Sequence, residues 1–204
     1  MTVDQVGKAD SSKSERRAEL LGIAAALFAE RGLRATTVRD IADAAGILSG
    51  SLYHHFDSKE SIVDEILRGF LDALFGRYRE IVAAGEDSRA TLEALVRVSF
   101  ESIDNWHSAV AIYQDEAKRL ATLPRFDYLA DRNREFRHLW LTVLHEGAED
   151  GSFREGLDVE IAYRFIRDTV WVAVRWYRPG GPRAIDTIAN EYLSIVLDGI
   201  SADS

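Results

Sequence analysis

The 204-residue sequence predicts an all-α fold of about nine helices, with a three-helix N-terminal module ahead of a larger helical domain. Three observations predict it. Apolar residues recur every three or four positions over long stretches, the period of a helix with one buried face. Only 3 prolines occur, at 124, 179 and 182, and all fall between those stretches. Capping-box patterns, a Ser, Thr or Asp three residues ahead of an acidic residue, stand where two of the periodic stretches begin. With 47% hydrophobic and 29% charged residues, the chain has the profile of a packed globular protein and not of a disordered one.

In order along the chain, Leu20, Ala24, Leu27 and Phe28 share one face of a first helix that ends at Gly32, a left-handed cap. Thr37-Val-Arg-Asp40 is a capping box that opens a short helix stopping at Gly46, after which Ser49 caps a second short helix running to Phe56. Asp57-Ser-Lys-Glu60 is read as another capping box. The long helix it opens is striped by Ile62, Ile66, Phe70 and Leu74 toward Tyr78, until Gly85-Glu-Asp-Ser88 ends it. Further helices are expected over 88–105, 107–121, 125–150, 158–178 and 184–200. The expected division is a module at 1–60 and a second domain at 61–204.

Several functions are argued against. Without cysteine there is no disulfide, thiolate nucleophile or cysteine metal site. The five histidines, at 54, 55, 107, 138 and 145, form no H-E-x-x-H pattern, and neither a G-x-S-x-G elbow nor a nucleotide-binding glycine loop occurs. No enzyme, metal or resident cofactor is expected. No run approaches the ~18 apolar residues of a membrane helix, and the polar N-terminus lacks the apolar core of a signal peptide, so a cytoplasmic protein with no membrane partner is expected. The net charge of −9 is unevenly spread: residues 1–60 carry 8 basic and 9 acidic side chains, residues 61–204 carry 17 and 25. Charge therefore argues neither for nor against nucleic acid at the N-terminal module.

Residues 36–60, TTVRDIADAAGILSGSLYHHFDSKE, carry the most specific signal. Small Ala42 and Ala45 let two helices approach, Gly46 makes the turn, and Ile41, Ile47, Leu52 and Phe56 supply a miniature core. The second short helix displays Ser49, Gly50, Ser51, Tyr53 and His54, polar groups of little bulk suited to base edges and phosphates. Lys59 lies in the first turn of the next helix, where its ammonium and the helix dipole together favour an anion. With T-V-R-D-I-A, A-G-I, G-x-L-Y, H-F and S-K-E in order, the segment resembles the helix-turn-helix of the TetR family. That resemblance implies a TetR-like fold and a homodimeric repressor that binds double-stranded operator DNA and is released by a small-molecule inducer. It places Thr37, Ser49, Ser51, Tyr53, His54 and Lys59 at DNA, and suggests Lys13, Arg16 and Arg17 as an arm on backbone phosphates. A helical hairpin that merely packs is the competing reading of 36–60, and a protein-binding adaptor or an enzyme is the competing function.

In the second domain, DVEIAYRFIRDTVWVAVRWYR (158–178) puts Arg164, Arg167, Asp168, Trp171, Arg175 and Arg178 on one arc at 100° per residue, with apolar residues elsewhere. The helix is thus expected to have protein on most sides. The arc fits a solvated strip, an Arg–acid network with neighbouring helices, or a cavity wall for an anionic, partly apolar ligand. In the last case Arg167, Trp171 and Arg175 grip and stack the ligand, and Tyr113 and Gln114 are further lining candidates. This stretch, with ILSGSLYHHF and YQDEA, also resembles TetR-family actinobacterial repressors of late steroid-ring degradation genes. That likeness implies an inducer that is a coenzyme A thioester of a steroid-derived indanedione propanoate, touching the positions of Arg167, Trp171 and Arg175. Ile188, Tyr192, Ile195 and Val196 line one side of the last helix. TetR proteins pair their last two helices in a four-helix dimer bundle, which sets two recognition helices about 34 Å apart.

Overall fold

The computed structural model describes residues 3–200, with side chains over 14–198, and among these the chain is all helical, without strands. It divides into two compact units, the first ending at Gly69 and the second starting at Phe70.

The first unit holds α1 (Val3–Arg31), α2 (Val38–Ala44), α3 (Ser49–Tyr53) and the start of α4 (Lys59–Ala84). Leu20, Ala24, Leu27 and Phe28 are buried, as the apolar spacing of α1 requires. Both halves of the α2 capping box form: Asp40 N–H donates to Thr37 Oγ1 at 3.1 Å, and Thr37 N–H donates to Asp40 Oδ2 at 2.7 Å. Hydrogen bonds from the Thr37 hydroxyl and amide hold the Asp40 carboxyl below its ordinary value. After Ala45, Gly46 takes φ +66°, which lets Ile47 N–H reach the Ala42 carbonyl at 3.0 Å and Gly46 N–H the Asp43 carbonyl at 3.2 Å. Those two bonds satisfy orphan carbonyls of α2 and turn the chain into α3. Ile41, Ala42, Leu52 and Phe56 form the expected small core, with Ile47 half-buried at its rim.

Three local features differ from those the sequence predicts. Ser49 is the first residue of α3 and not its cap, because the residue with extended backbone is Leu48, which offers no side-chain acceptor. α3 ends at Tyr53, short of Phe56. The cap of α4 is not Asp57 but the next residue: Ser58 Oγ accepts from Ser61 N–H and Ser61 Oγ accepts from Ser58 N–H, both at 3.1 Å. A hydroxyl pair does the reciprocal work that the acidic pattern suggested one position earlier.

The second unit holds the rest of α4, then α5 (Ser88–Asn105), α6 (His107–Leu120), α7 (Tyr128–Glu149), α8 (Val159–Trp171) and α9 (Ile185–Ile200). Asp87 and Asp158 cap α5 and α8 by accepting from Ala90 and Ile161 N–H groups at 2.9 and 3.0 Å. α5 packs against α6, α7, α8 and α9, which is why Leu92, Leu95, Val96, Phe100 and Ile103 are all buried. Its polar residues stay satisfied. The Ser99 hydroxyl donates to the Leu95 carbonyl at 2.7 Å and lies 2.6 Å from the fully buried Tyr78 hydroxyl, whose ionisation burial suppresses.

Two expected helices are broken. A single 3-10 turn, Pro124–Phe126, precedes α7. α8 stops at Trp171 and gives way to a 3-10 turn, Val172–Arg175, so 158–178 is not one continuous helix. The tighter winding changes the angular step per residue, and the single arc drawn through Arg175 and Arg178 dissolves.

Gly147 supplies a direct test of packing in this unit. A Cβ there would lie 2.2 Å from Cε2 of buried Phe153, whose N–H donates to the Gly147 carbonyl at 2.8 Å. Alanine ordinarily gains about 1 kcal/mol over glycine within a helix, but overpacking costs about 1–3 kcal/mol. Gly147→Ala is therefore expected to lower stability by up to about 2 kcal/mol in urea unfolding. Adding Phe153→Leu should recover part of it, and a gain in stability for the single variant would contradict this packing.

Candidate functional site

The first unit turns a compact polar surface outward. Thr37, Gly50, Tyr53 and His54 are exposed, Tyr53 at 55%, and Ser49 and Ser51 are half-buried beside them. Four of the six expected DNA contacts thus share the short helix α3 and its C-cap His54. Thr37 stands at the entrance to α2, where its hydroxyl also donates to Asp40 Oδ2 at 2.6 Å. Lys59 is held more firmly than expected. Its ammonium donates to the Leu33 and Thr36 carbonyls at 2.8 and 3.0 Å, tying the α1–α2 loop to α4 and leaving one of its three protons for another acceptor.

The suggested arm takes a different form. Arg16 and Arg17 lie on α1 and are engaged within the unit, and the side chain of Lys13 lies outside the described residues.

Leu48, which the sequence reading passed over, is 80% exposed beside these polar groups. The available signal was an apolar residue where a helix cap favours Ser, Thr, Asp or Asn. Leu48→Ser should add the missing cap and raise stability by about 0.5–1 kcal/mol, measured as a higher urea midpoint.

In the second unit a cavity is lined by Phe70, Leu74, Phe75 and Phe136, with Trp171 and Arg167 at its wall and Tyr113, Gln114 and Asn133 as its other polar residues. Trp171 is buried, edge-on to Phe70 (ring centroids 6.2 Å apart, 77°) and tilted against Phe136 (6.3 Å, 58°). The Tyr113 hydroxyl donates to Asn133 Oδ1 at 2.8 Å, and burial pushes its pKa up to about 12, so it stays a neutral donor. Arg167 donates from Nε to Asp168 Oδ1 at 2.7 Å and stacks over the Tyr163 ring at 5.4 Å. The Asp168 hydrogen bond strengthens its hold on the proton. Arg167 and Trp171 are thus brought together, with Tyr113 and Gln114. Arg175, on the 3-10 turn, is not among the lining residues and faces Asp115 at 3.6 Å in an exposed pair. The cavity volume is about 70 Å³, well under the ~300–1,000 Å³ of sites that enclose a drug-sized ligand.

A second feature joins α8 and α9. Ile161 (51% exposed), Phe165 (68%) and Ile195 (75%) border an open groove that also includes Ile166, Tyr192 and Val196. The expectation that protein surrounds α8 on most sides fails within one chain, for this stripe faces solvent. Exposed apolar surface of this kind fits a contact with another protein, a membrane or a ligand.

The model for bacterial regulatory proteins of the tetR family matches residues 20–66, and the tetracyclin repressor-like C-terminal domain matches residues 85–200. The chain belongs to the TetR family. It is 73% identical to the HTH-type transcriptional repressor KstR2 of Rhodococcus jostii over 94% of this chain and 94% of that protein. It is 61% identical to the KstR2 repressor of Mycobacterium tuberculosis over 93% and 95% of the two chains. The solved structure of the ketosteroid transcriptional regulator KstR2 of M. tuberculosis superposes with a TM-score of 0.91 at 62% identity, covering 92% of this chain and 96% of that one. This TetR-family chain is a transcriptional regulator, and the resemblance read from 36–60 holds. Its N-terminal match includes α2, α3 and the start of α4, and begins after Arg16 and Arg17.

Proposed function

We propose that this TetR-family regulator is a homodimeric repressor of KstR2 type that grips operator DNA through α3 and releases it when an anionic, partly apolar small molecule enters the second unit. The observation that carries the reading is α3 itself: five residues with one buried side chain, Leu52, and polar groups turned to solvent. Hydroxyls of Ser49, Ser51 and Tyr53 and the His54 imidazole can donate to or accept from base edges and phosphates. Thr37 and the remaining Lys59 proton add backbone contacts. Leu48 offers an apolar surface to a thymine methyl. Two such helices on a two-fold dimer built on the α8/α9 groove would meet successive major grooves.

For the inducer we infer a coenzyme A thioester from steroid catabolism. The aromatic walls around Trp171 suit a ring system, and Arg167 suits a carboxylate, thioester oxygen or phosphate. Arg175 reaches the same ligand only if the 3-10 turn shifts. The relatives' names point to ketosteroid metabolism. Because the cavity is contracted, binding must part its aromatic rings, and it shifts the operator-bound state only by its differential affinity for the open and closed forms.

The test is a band shift with upstream DNA fragments and a titration of the bound complex with coenzyme A thioesters of steroid-ring acids, straight-chain acyl-CoAs and free coenzyme A. Release by the steroid-ring thioesters alone is expected. Release by another acyl-CoA, a lipid or a drug would keep the repressor and change its ligand. Failure to shift any fragment at low salt would remove the function.

A further inference from the structure

We propose that Arg16 and Arg17 form a clamp on α1 that sets the two helices of the helix-turn-helix for the groove, instead of contacting DNA phosphate. This rests on the DNA-binding reading above for its purpose, but its geometry stands by itself. Arg16 Nη2 donates to the carbonyl of Ala45, the C-cap of α2, at 3.2 Å. Arg17 Nη1 donates to the carbonyl of His55, one residue past the C-cap of α3. Neighbouring residues on one helix therefore hold the C-terminal ends of the two helices that follow.

Carbonyls at a helix C-terminus lack an intrahelical partner and carry partial negative charge, so a guanidinium there is favourable twice over. Each arginine is itself fixed. Arg16 pairs with Glu19 at 2.5 Å on α1. Arg17 makes a two-pronged pair with Glu65 of α4, Nε to Oε1 at 2.8 Å and Nη2 to Oε2 at 2.6 Å. Its guanidinium carbon also lies 4.3 Å from the centroid of the Phe56 ring, the buried residue that anchors the end of α3. A planar fork can bond a carboxylate edge-on and still donate sideways to a carbonyl, which lysine's single ammonium cannot do in the same geometry.

The need for such a clamp follows from the length of α3. Five residues are far below what holds a helix together alone, so its direction is set by tertiary contacts. Leu52 and Phe56 fix one side, and Arg17 fixes the C-terminal end. With both guanidiniums facing carboxylates, neither carries an uncompensated charge for a phosphate. Arg17 is a positioning residue: it reaches DNA only through the helix it holds.

Phosphate contact and clamp make opposite forecasts. The probe is a duplex selected from a random-sequence pool by the full-length wild-type protein, titrated at several salt concentrations. For the clamp, Arg17→Gln, Arg17→Lys and Glu65→Gln each weaken binding about tenfold, and the slope of log affinity against log salt stays that of wild type. For phosphate contact, Arg17→Lys binds nearly as wild type, Arg17→Gln lowers the slope by about one, and Glu65→Gln binds more tightly because an acidic charge is gone.

Amide exchange provides a readout that needs no DNA. In Arg17→Lys and Glu65→Gln the amides of Leu52, His54 and Phe56 should exchange faster while those of Leu95 and Ser99 in α5 keep their protection. Unchanged exchange at α3, or a Glu65→Gln variant that binds the duplex as tightly as wild type, overturns the clamp. If the wild type selects no duplex, the repressor reading fails, and exchange alone decides the clamp.

Discussion

Phe165→Asp is expected to convert the dimer into folded monomers and to weaken operator binding by more than 100-fold. Phe165 is 68% exposed in the single chain and sits on the apolar groove between α8 and α9 with Ile161 and Ile195. Burying a phenylalanine contributes about 1.5–3 kcal/mol, and a two-fold interface counts each residue twice. The carboxylate adds the cost of an unpaired charge in an apolar contact. A loss of about 4 kcal/mol or more corresponds to roughly a thousandfold in the dimer dissociation constant. Since the side chain makes little use of its own protomer, the thermal unfolding of the monomer should hardly change. Sedimentation equilibrium and the band shift read the two effects separately. A Phe165→Asp protein that remains dimeric would remove the groove as the subunit contact.

The second large effect belongs to Arg167. Arg167→Ala should leave operator affinity as in wild type while raising the inducer concentration for half-release by 10- to 100-fold, the worth of a charge-assisted hydrogen bond at about 1.5–3 kcal/mol. Its side chain is 40% exposed and bonded to Asp168, so little stability depends on it. Trp171→Ala is a poorer probe, for that ring is buried against Phe70 and Phe136 and its removal would loosen the unit. Arg175→Ala should shift release much less, because Arg175 lies outside the lining and pairs with Asp115 in solvent. Equal shifts for the two arginines would mean that the Val172–Arg175 turn rearranges around the ligand. Unchanged release in Arg167→Ala would remove the cavity as the inducer site.

Much of this architecture was legible because it depends on near neighbours. Spacing alone located α5 at 88–105 and the buried face of α1, and Gly46 marked the turn because only glycine takes φ +66° without strain. What escaped depends on distant partners. Nothing local says that the Lys59 ammonium reaches back to Leu33 and Thr36, or that Arg17 meets Glu65. The end of α8 at Trp171 escaped too, since VAVR suits a continuing helix and nothing local marks the 3-10 turn in which Ala173 and Val174 are buried. That one change separated Arg175 from the cavity. Arg167 and Trp171, a single α-turn apart within α8, kept the relation their spacing gave them.

If the second unit's cavity is the inducer site as proposed, its small volume has a consequence for signal fidelity. A metabolite small enough to settle into about 70 Å³ leaves Phe70, Phe136 and Trp171 where they are, so it gains nothing from one state over the other. Such a molecule would be a silent occupant. On the proposed inducer role, a guest too bulky for this volume would favour a widened form, so size would act as a threshold that smaller acids do not cross.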